Sequence, residues 1–286
     1  MSAFKQIGIV HHGLLAEARA LARALSEKYG RTVSWTATQS TISKVAPKLP
    51  GTDLILTIGG DGTILRGVHI AAPLGIPVLG INMGRVGFMS EIDADEALAG
   101  LAWYLEGNAR TEERAMLRAE VDGQTAPVDA LNDVIIARGD VLRVIEIETS
   151  VDGTLLSVYR GDGIVASTAT GSTGYALALG GPVLDPTSDH ILLKPIAAHM
   201  SQSGGIVLPS SSAFRFRLIS EHAAVLSADG FQNCKLHDGQ AVRVYLSPYR
   251  ARFLRRHPPS YFWASLSKRL GMRQGALPRK SGGDEI

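Results

Sequence analysis

The sequence has little of several things that would place it in a specialised class. It contains one cysteine, Cys234, in 286 residues, which excludes an internal disulfide and a metal site built from several cysteines. It has no run of about 18 apolar residues and no basic-then-apolar leader, so we expect neither a membrane span nor export. These absences predict a cytoplasmic protein with no membrane partner.

The chain also has almost no excess of positive over negative charge. The formal net charge is only +2, so no strong field for polyanions is implied, and we expect no nucleic-acid partner. Four arginines that crowd near the end of the chain are interpreted as a solvated face; they are Arg250, Arg252, Arg255 and Arg256. The 45% of apolar residues is typical of a globular core, and the length allows one large domain or two ordinary ones.

Glycine is plentiful at one informative point. Residues 56–65 read Leu-Thr-Ile-Gly-Gly-Asp-Gly-Thr-Ile-Leu, which is an apolar strand, a glycine turn with one aspartate, and the start of a helix. Such a turn points amide N–H groups and the positive end of the helix dipole at an anion. Asp61 repels a phosphate unless a cation screens it or it must take a proton. The chain has no Gly-Lys pair, which excludes the usual P-loop.

Strand and helix patterns alternate over the first hundred residues, which predicts an α/β domain with a parallel sheet over residues 1–108. Ligands of such sheets bind at the carboxyl ends of the strands, where the glycine turn lies. The predicted strands are Gln6–Val10, Thr32–Ala37, Asp53–Ile58 and Pro77–Ile81, and the predicted helices are Leu14–Lys28, one from about Thr63, and Ala94–Leu105.

Beyond Asn108 the segments are short, β-branched or alternating, and separated by Gly and Asp turns. This pattern predicts a mostly antiparallel all-β domain over residues 109–254. A helix over about 255–270 is expected to return to the first domain, and residues 271–286 are expected to be a disordered tail. The predicted strands are Ala115–Val121, Asp133–Ala137, Val144–Val151, Leu155–Tyr159, Ile164–Ser167, Phe214–Ile219, Ala224–Leu226 and Ala241–Leu246.

The second half carries a polar cluster. Asn132 and Asp133 place an amide beside a carboxylate, and the pair could bracket two sugar hydroxyls as donor and acceptor; an ordinary Asn-Asp turn is the alternative. Gly161-x-Gly163-x-x-Ala166 matches the dinucleotide fingerprint only in letters, because a strand and not a helix follows it. Ser172 departs from the hydrolase elbow pattern, since Thr170 stands where the first glycine belongs, and it is not expected to be a nucleophile.

Five blocks of sequence, in a fixed order over roughly residues 5–270, resemble the bacterial NAD kinase family. They are Gly59-Gly-Asp-Gly-Thr63 with Leu65-Arg66, Gly80-Ile-Asn82-x-Gly84-Arg-Val-Gly-Phe88, Leu131-Asn-Asp133, Tyr159-Arg-Gly-Asp-Gly163, and Ser167-Thr-x-Thr-Gly-Ser-Thr-x-Tyr175 closing on Gly180-Gly-Pro182. The first block is shared with lipid kinases and phosphofructokinases, whereas the five together are specific. The resemblance implies transfer of the γ-phosphoryl group of ATP, or of polyphosphate in some members, to the 2′-hydroxyl of the adenosine ribose of NAD, which gives NADP.

The resemblance also implies site residues. Asp61 is implied as the general base, Gly62 as the point of close backbone approach, Arg66 as a phosphate contact, and the pair Asn132 and Asp133 as the grip on the nucleotide. The further positions that the resemblance places at adenine, ribose or nicotinamide are Arg143, Arg160, Asp162, Thr173, Gly174, Tyr175 and Ala178.

Departures from the family pattern concern binding more than chemistry. Phe231, a predicted binding residue, stands where a glutamine is frequent, Ala178 where a serine is frequent, and Ala169 replaces a proline in the nucleotide loop. His199 is a candidate site-lining residue, with a purely structural histidine as the alternative. No metal ligand beyond the phosphates of ATP is expected for the implied Mg²⁺ cofactor. The implied partners are NAD, ATP and a second copy of the chain, as a homodimer or homotetramer.

Three alternatives stay open from the sequence. In the first alternative the chain is a lipid kinase of the diacylglycerol kinase-like fold. In the second it is a non-catalytic nucleotide-binding regulator. In the third, Asp61 only caps its helix.

Overall fold

The computed structural model describes residues 3–84, 87–140, 143–198 and 204–271. The chain forms two compact units, Met1–Arg255 and Arg256–Ile286. The second unit contains helix α5, Tyr261–Arg269, where a helix was predicted. The expected disordered tail lies outside the described residues from 272 onward, as does His199. The domain boundary at residue 108 and the return of the last helix to the first domain stay predictions.

The first hundred residues form the predicted alternation of strands and helices. The elements are β1 (Ile7–His11), α1 (Ala16–Lys28), β2 (Val33–Thr38), β3 (Leu54–Gly59), α2 (Asp61–Ala71), β4 (Val78–Asn82), β5 (Ile92–Asp93) and α3 (Ala94–Leu105). Strands β4, β3, β1 and β2 are adjacent in that order, and all their pairings are parallel. The α/β prediction for this part of the chain is confirmed.

Helices cover both faces of this parallel sheet. Neighbouring residues of one strand face opposite sides, so Ile55 packs with Ile64 and Val68 of α2, whereas Leu56 packs with Leu25 of α1 on the other face. A 3-10 segment over Ile42–Gly51 was not predicted. It contains Pro47 and Pro50, and proline cannot donate the hydrogen bonds of a continuous α-helix.

The second half of the first unit is built from strands that pair antiparallel with one another. The elements are β6 (Arg110–Val121), β7 (Val128–Ala130), β8 (Asp133–Arg138), β9 (Ile145–Val151), β10 (Thr154–Gly161), β11 (Gly163–Ser167), the short helix α4 (Tyr175–Ala178), β12 (Ile191–Ile196), β13 (Ile206–Leu208), β14 (Phe214–Leu218), β15 (Ala224–Ala228), β16 (Gln232–Leu236) and β17 (Ala241–Arg255). The prediction of a mostly antiparallel all-β part is confirmed.

These strands form two layers with one apolar core between them. One sheet has the order β13-β12-β11-β8-β15-β16, while β10, β9, β14 and β17 extend the parallel sheet of the first half. Phe214, Phe216 and Ile147 of the larger sheet pack with Ile164 and Ile136 of the smaller one. Among the described residues, no helix has the length and apolar content needed to cross a membrane.

Strand β17 joins the two halves. It pairs antiparallel with β6 and β14, and at Phe253 it pairs parallel with Val78 of β4. Only its first six residues were predicted as strand. After a register shift between Leu246 and Arg250 the strand continues to Arg255, through the arginines that were interpreted as a solvated face. That interpretation is wrong for Arg255, which is buried.

Candidate functional site

The glycine turn places Asp61 at the start of α2. Gly60 is the N-cap, and the helix begins at Asp61, two residues earlier than predicted. The Asp61 carboxylate turns away from its own helix: Oδ2 accepts a hydrogen bond from the Phe88 N–H at 3.1 Å, and Oδ1 accepts one from the Met89 N–H at 3.4 Å. Helix capping therefore does not account for Asp61.

The loop after β4 approaches Asp61 closely because residue 87 is glycine. A Cβ atom at Gly87 would lie 2.1 Å from Oδ1 of Asp61, a separation at which one of them must move. The missing side chain lets the amides of Phe88 and Met89 reach the carboxylate. Sequence reasoning named the block around residues 80–88 but assigned no role to these amides.

A second polar centre is the turn that contains Asn132 and Asp133. It is held by Asp229, whose Oδ1 accepts the N–H groups of Asn132 at 2.7 Å and Asp133 at 3.2 Å, and whose Oδ2 accepts that of Leu131 at 2.7 Å. The side chain of Asp229 is fully buried. Sequence reasoning missed this residue, although its place in an Asp-Gly turn beside Phe231 was a usable signal.

Asp133 lies at the base of this turn, where water has little access. Burial, together with the negative charge of Asp229 beside it, raises the pKa of the Asp133 carboxyl group to about 7. Only 5% of the residue is exposed. A carboxyl group in this environment exchanges its proton near neutral pH, so it can both donate and accept hydrogen bonds there.

The loop from Ser167 to Tyr175 wraps around Asn132. The Thr168 hydroxyl donates to the carbonyl of Leu131 at 2.6 Å, and the Thr168 N–H donates to that of Asn132 at 2.9 Å. At Gly171 a Cβ atom would lie 2.1 Å from the Asn132 carbonyl oxygen, so only glycine permits this approach. The Ser172 hydroxyl is buried and donates to Ala169, which agrees with its exclusion as a nucleophile.

Two buried acceptor or donor atoms in this loop region have no hydrogen-bond partner among the described residues. They are Oδ1 of Asn132 and Oγ1 of Thr170. Buried polar atoms in native proteins nearly always have partners. The two missing partners make this loop region a candidate polar binding site. Gly174 borders the same space, since a Cβ atom at that position would lie 3.8 Å from Nδ2 of Asn132.

Helix α2 connects the two polar centres. His69, about 12 Å along the helix axis from Asp61, contacts Oδ2 of Asp229 through Nε2 at 2.7 Å. The ring of Phe231 lies between this histidine and Arg66, with its centroid 4.7 Å from the His69 ring centroid and 4.7 Å from the Arg66 guanidinium. Phe231, a departure from the family pattern, thus packs on the helix that carries Asp61.

Other predicted residues are not brought to this cluster. Asp162 forms an ion pair with Arg138 at 2.9 Å, and Arg160 is an exposed neighbour of Glu146 at 3.6 Å. Because Gly163 begins β11 and Ser167 ends it, Asp162 lies about 16 Å along the strand from the loop that surrounds Asn132. Arg143 is exposed.

The remaining predicted positions belong to the rim of the loop. Thr173 donates from its hydroxyl to the Thr170 carbonyl at 3.0 Å, whereas Gly174, Tyr175 and Ala178 are exposed. Gly62 is also exposed, with open space where a side chain would stand. In the described parts of the chain, no group of three His, Cys, Asp or Glu side chains could hold a metal ion. The roles of all these residues stay predictions.

Two family models match the chain. The ATP-NAD kinase N-terminal domain matches residues 14–109, and the ATP-NAD kinase C-terminal domain matches residues 131–256. An NAD kinase of Dehalococcoides mccartyi is 40% identical over 273 residues, which are 93% of this chain and 96% of the relative. An NAD kinase of Symbiobacterium thermophilum is 43% identical over 71% of this chain and 73% of its own length.

Solved structures share the fold. A yeast NADH kinase complexed with NADH superposes with a TM-score of 0.82 at 22% identity and covers 97% of this chain and 90% of its own. An NAD kinase from Archaeoglobus fulgidus in complex with ATP superposes with a TM-score of 0.74 at 25% identity and covers 94% of this chain and all of its own.

Proposed function

The chain belongs to the NAD kinase family and is an enzyme that phosphorylates NAD, and we propose that Asp61 is the residue that receives the proton of the attacking hydroxyl. The hydroxyl is the 2′-hydroxyl of the adenosine ribose, and the product is NADP. The supporting observation is that the Asp61 carboxylate, which comes just after β3, is fixed by the backbone N–H groups of Phe88 and Met89.

The proposed step is an in-line displacement. The ribose oxygen forms a bond to the γ-phosphorus of ATP, the bond to the β,γ-bridging oxygen breaks, and ADP leaves while the hydroxyl proton passes to Asp61. A ribose hydroxyl is a poor nucleophile, so Asp61 serves mainly by holding it in line and accepting its proton late. The two amides fix the carboxylate without using all of its lone pairs.

The nucleotide is proposed to lie against the turn of Asn132 and Asp133. The unpartnered Oδ1 of Asn132 and the carboxyl group of Asp133 are acceptors of the kind that ribose or adenine requires. Thr173, Gly174, Tyr175 and Ala178 are proposed to form the rim of that site. Arg143, Arg160 and Asp162 stay proposed contacts of the nicotinamide half, although Asp162 and Arg160 form ion pairs with Arg138 and Glu146.

ATP is the proposed donor, because the relative from Archaeoglobus fulgidus binds it. The start of α2 with exposed Gly62 suits a phosphate, and Arg66 lies within one turn of it. Mg²⁺ is expected to be held through the phosphates of ATP, next to the Asp61 carboxylate. Mg²⁺, when bound, neutralises charge on the phosphates. Polyphosphate stays an alternative donor.

Two further proposals concern the setting of the enzyme. A cytoplasmic location is proposed from the single cysteine, which suits a reducing compartment. A homodimer or homotetramer is proposed, with the exposed edge strands β10 and β13 as available surfaces. The relatives favour NAD over a lipid as the acceptor and a catalyst over a silent regulator.

The test is an acceptor assay on the full chain. It contains ATP, Mg²⁺ and either NAD or diacylglycerol, and NADP is measured with an NADP-specific dehydrogenase. We expect NADP and no phosphorylated lipid; lipid phosphorylation without NADP would refute the function.

Asp61→Asn tests the proposed role of the carboxylate in the same assay. It should lower kcat by about 10²- to 10⁴-fold, because the amide cannot accept the proton. Asp238→Asn, in an exposed turn, is the control and should leave kcat unchanged. A folded Asp61→Asn variant with full activity would remove Asp61 from the role.

A further inference from the structure

Strands β6 and β17 carry a cluster of buried charges behind the loop that holds Asp61. Its members face one another across the antiparallel pair, where Arg255 is opposite Arg110 and Phe253 is opposite Glu112. Arg114 is 3% exposed, Arg255 6% and Glu112 7%. Three charged residues so far from water are rare in a soluble fold unless they are paired.

Glu112 is the centre of this cluster. Its Oε1 accepts hydrogen bonds from Nη2 of Arg114 at 2.9 Å and from Nε of Arg255 at 3.3 Å, and its Oε2 accepts one from Arg110 at 2.7 Å. The ring of Phe253 packs against both guanidinium groups, 5.0 Å from Arg114 and 4.9 Å from Arg255. Burial raises the pKa of Glu112, but the charges of Arg114 and Arg255 outweigh it and lower that pKa to about 2.

Stability alone is a poor explanation for such a cluster. Buried ion pairs often contribute no more than apolar residues of similar volume, because the cost of removing the charges from water offsets their attraction. Nη2 of Arg255 is in addition buried with no hydrogen-bond partner among the described residues. A role in positioning another segment of the chain accounts for the cluster better than stability does.

The group that Arg255 holds is the loop after β4. Its Nη1 donates to the carbonyl oxygens of Met89 at 2.9 Å and Ser90 at 3.3 Å, and it contacts Oε2 of Glu91 at 3.1 Å. The N–H of the same Met89 and that of Phe88 are the donors to Asp61. One residue, Met89, therefore faces Arg255 with its carbonyl and Asp61 with its amide.

The charges of the cluster also include Asp61. Burial and the neighbouring Arg255 lower the pKa of Arg114 to about 10, while Glu112 and Asp61 act in the opposite direction. Arg110, Arg114 and Arg255 are balanced by the carboxylates of Glu91, Glu112 and Asp61 taken together.

We propose that Arg255, oriented by Glu112, is a positioning residue for Asp61: it fixes the loop of residues 87–91, whose amides hold the carboxylate. This inference rests on the proposed role of Asp61 and extends it to a residue that reaches no substrate. The sequence pattern hid it, because Arg255 lies between the exposed residues Arg252 and Arg256.

The test compares Arg255→Met with Arg252→Met in the full chain. Arg252 is on the same strand, and its ion pair with Glu113 is on the surface. Arg255→Met should lower kcat at least tenfold and change KM for NAD less than threefold, since the proposed nucleotide contacts at Asn132 and Asp133 lie outside this loop. Arg255→Lys, which keeps the charge, should recover part of kcat. Arg252→Met should match the unchanged protein.

A second readout does not depend on activity. Hydrogen exchange followed by mass spectrometry should show faster exchange in the peptide containing residues 87–91 for Arg255→Met and not for Arg252→Met. If Arg255→Met does not fold, Glu112→Gln replaces it, with kcat lowered at least threefold and the same exchange result expected. Unchanged kcat and unchanged exchange in a folded variant would overturn the inference. An inactive unchanged protein would instead refute the proposed function, and exchange would still decide the positioning role.

Discussion

Asp61 and Asp133, two carboxyl groups of the candidate site, have different surroundings. Asp61 accepts two backbone N–H groups and lies near the guanidinium of Arg114. Asp133 is buried beside another carboxylate, and its pKa is raised to about 7. The two carboxyl groups therefore differ in burial and in the groups that surround them. The roles proposed for them are proton acceptance by Asp61 and nucleotide contact by Asp133.

The raised pKa of Asp133 has a consequence for stability. In the folded chain the carboxyl group keeps its proton up to about pH 7, whereas in the unfolded chain it loses it near its ordinary value of 3.8. Its contribution to stability is complete below pH 3.8 and declines as the pH rises to 7. Asp133→Asn removes this decline, so the variant should be more stable than the unchanged protein at pH 8 by about one to a few kcal/mol.

Urea unfolding at pH 5, 7 and 8.5 measures the effect. The advantage of Asp133→Asn over the unchanged protein should grow with pH and level off above pH 7. The control Asp238→Asn concerns an exposed turn and should give parallel curves. Equal pH dependence for Asp133→Asn and the unchanged chain would contradict a buried, protonated carboxyl group.

At the scale of elements, helix α2 carries Asp61, the candidate catalytic residue, and also His69, which contacts Asp229 under the turn of Asn132 and Asp133. The helix itself was predictable, because a strand, a glycine turn and an apolar helical pattern follow one another between residues 54 and 71. The partner of His69 was not predictable, since Asp229 is 160 residues away. No local pattern carries information on such a contact. The register of β8 and β15 places Asp229 beside the turn of Asn132 and Asp133, and the packing of α2 brings His69 to it.

The contact between His69 and Asp229 predicts that substitutions of these two residues have coupled effects on stability and NAD affinity. Asp229→Ala leaves the N–H groups of Leu131, Asn132 and Asp133 without their acceptor, so NAD affinity should fall at least tenfold. His69→Ala removes one contact of the same carboxylate and should cost about 1–3 kcal/mol of stability with a smaller loss of affinity. The double variant should resemble Asp229→Ala alone, because both changes break one network.

Calorimetric NAD binding and urea unfolding of the four proteins provide the cycle. His237→Ala, at an exposed turn, is the matched histidine control and should change neither quantity. Additive effects of His69→Ala and Asp229→Ala would show that the contact at 2.7 Å does not couple the helix to the turn.

At the scale of the whole molecule, the sequence pattern described the two kinds of architecture but not how they are joined. The sequence pattern missed the charged end segments of two strands. Residues Arg110–Arg114 begin β6 and Arg250–Arg255 end β17, yet neither segment was predicted as strand. Charged residues ordinarily indicate solvent, and Glu112, Arg114 and Arg255 are buried only because each balances another. A pattern of single residues cannot show that compensation.

The same junction decides whether the first 108 residues could fold alone. The apolar cluster on the α2 face contains Val78, Met89 and Ile64 from the first half, but also Met116 and Phe253 from β6 and β17. A fragment 1–108 would expose this face and the edge of β4, and would leave the loop after β4 without Arg255. We expect the fragment to have helical circular dichroism, to bind a hydrophobic dye and to unfold without a cooperative transition, whereas fragment 1–255 unfolds cooperatively. A sharp thermal transition of fragment 1–108 would show that the α/β part folds cooperatively without β17. Strand β17 would then connect the two halves without being needed for the core of the first.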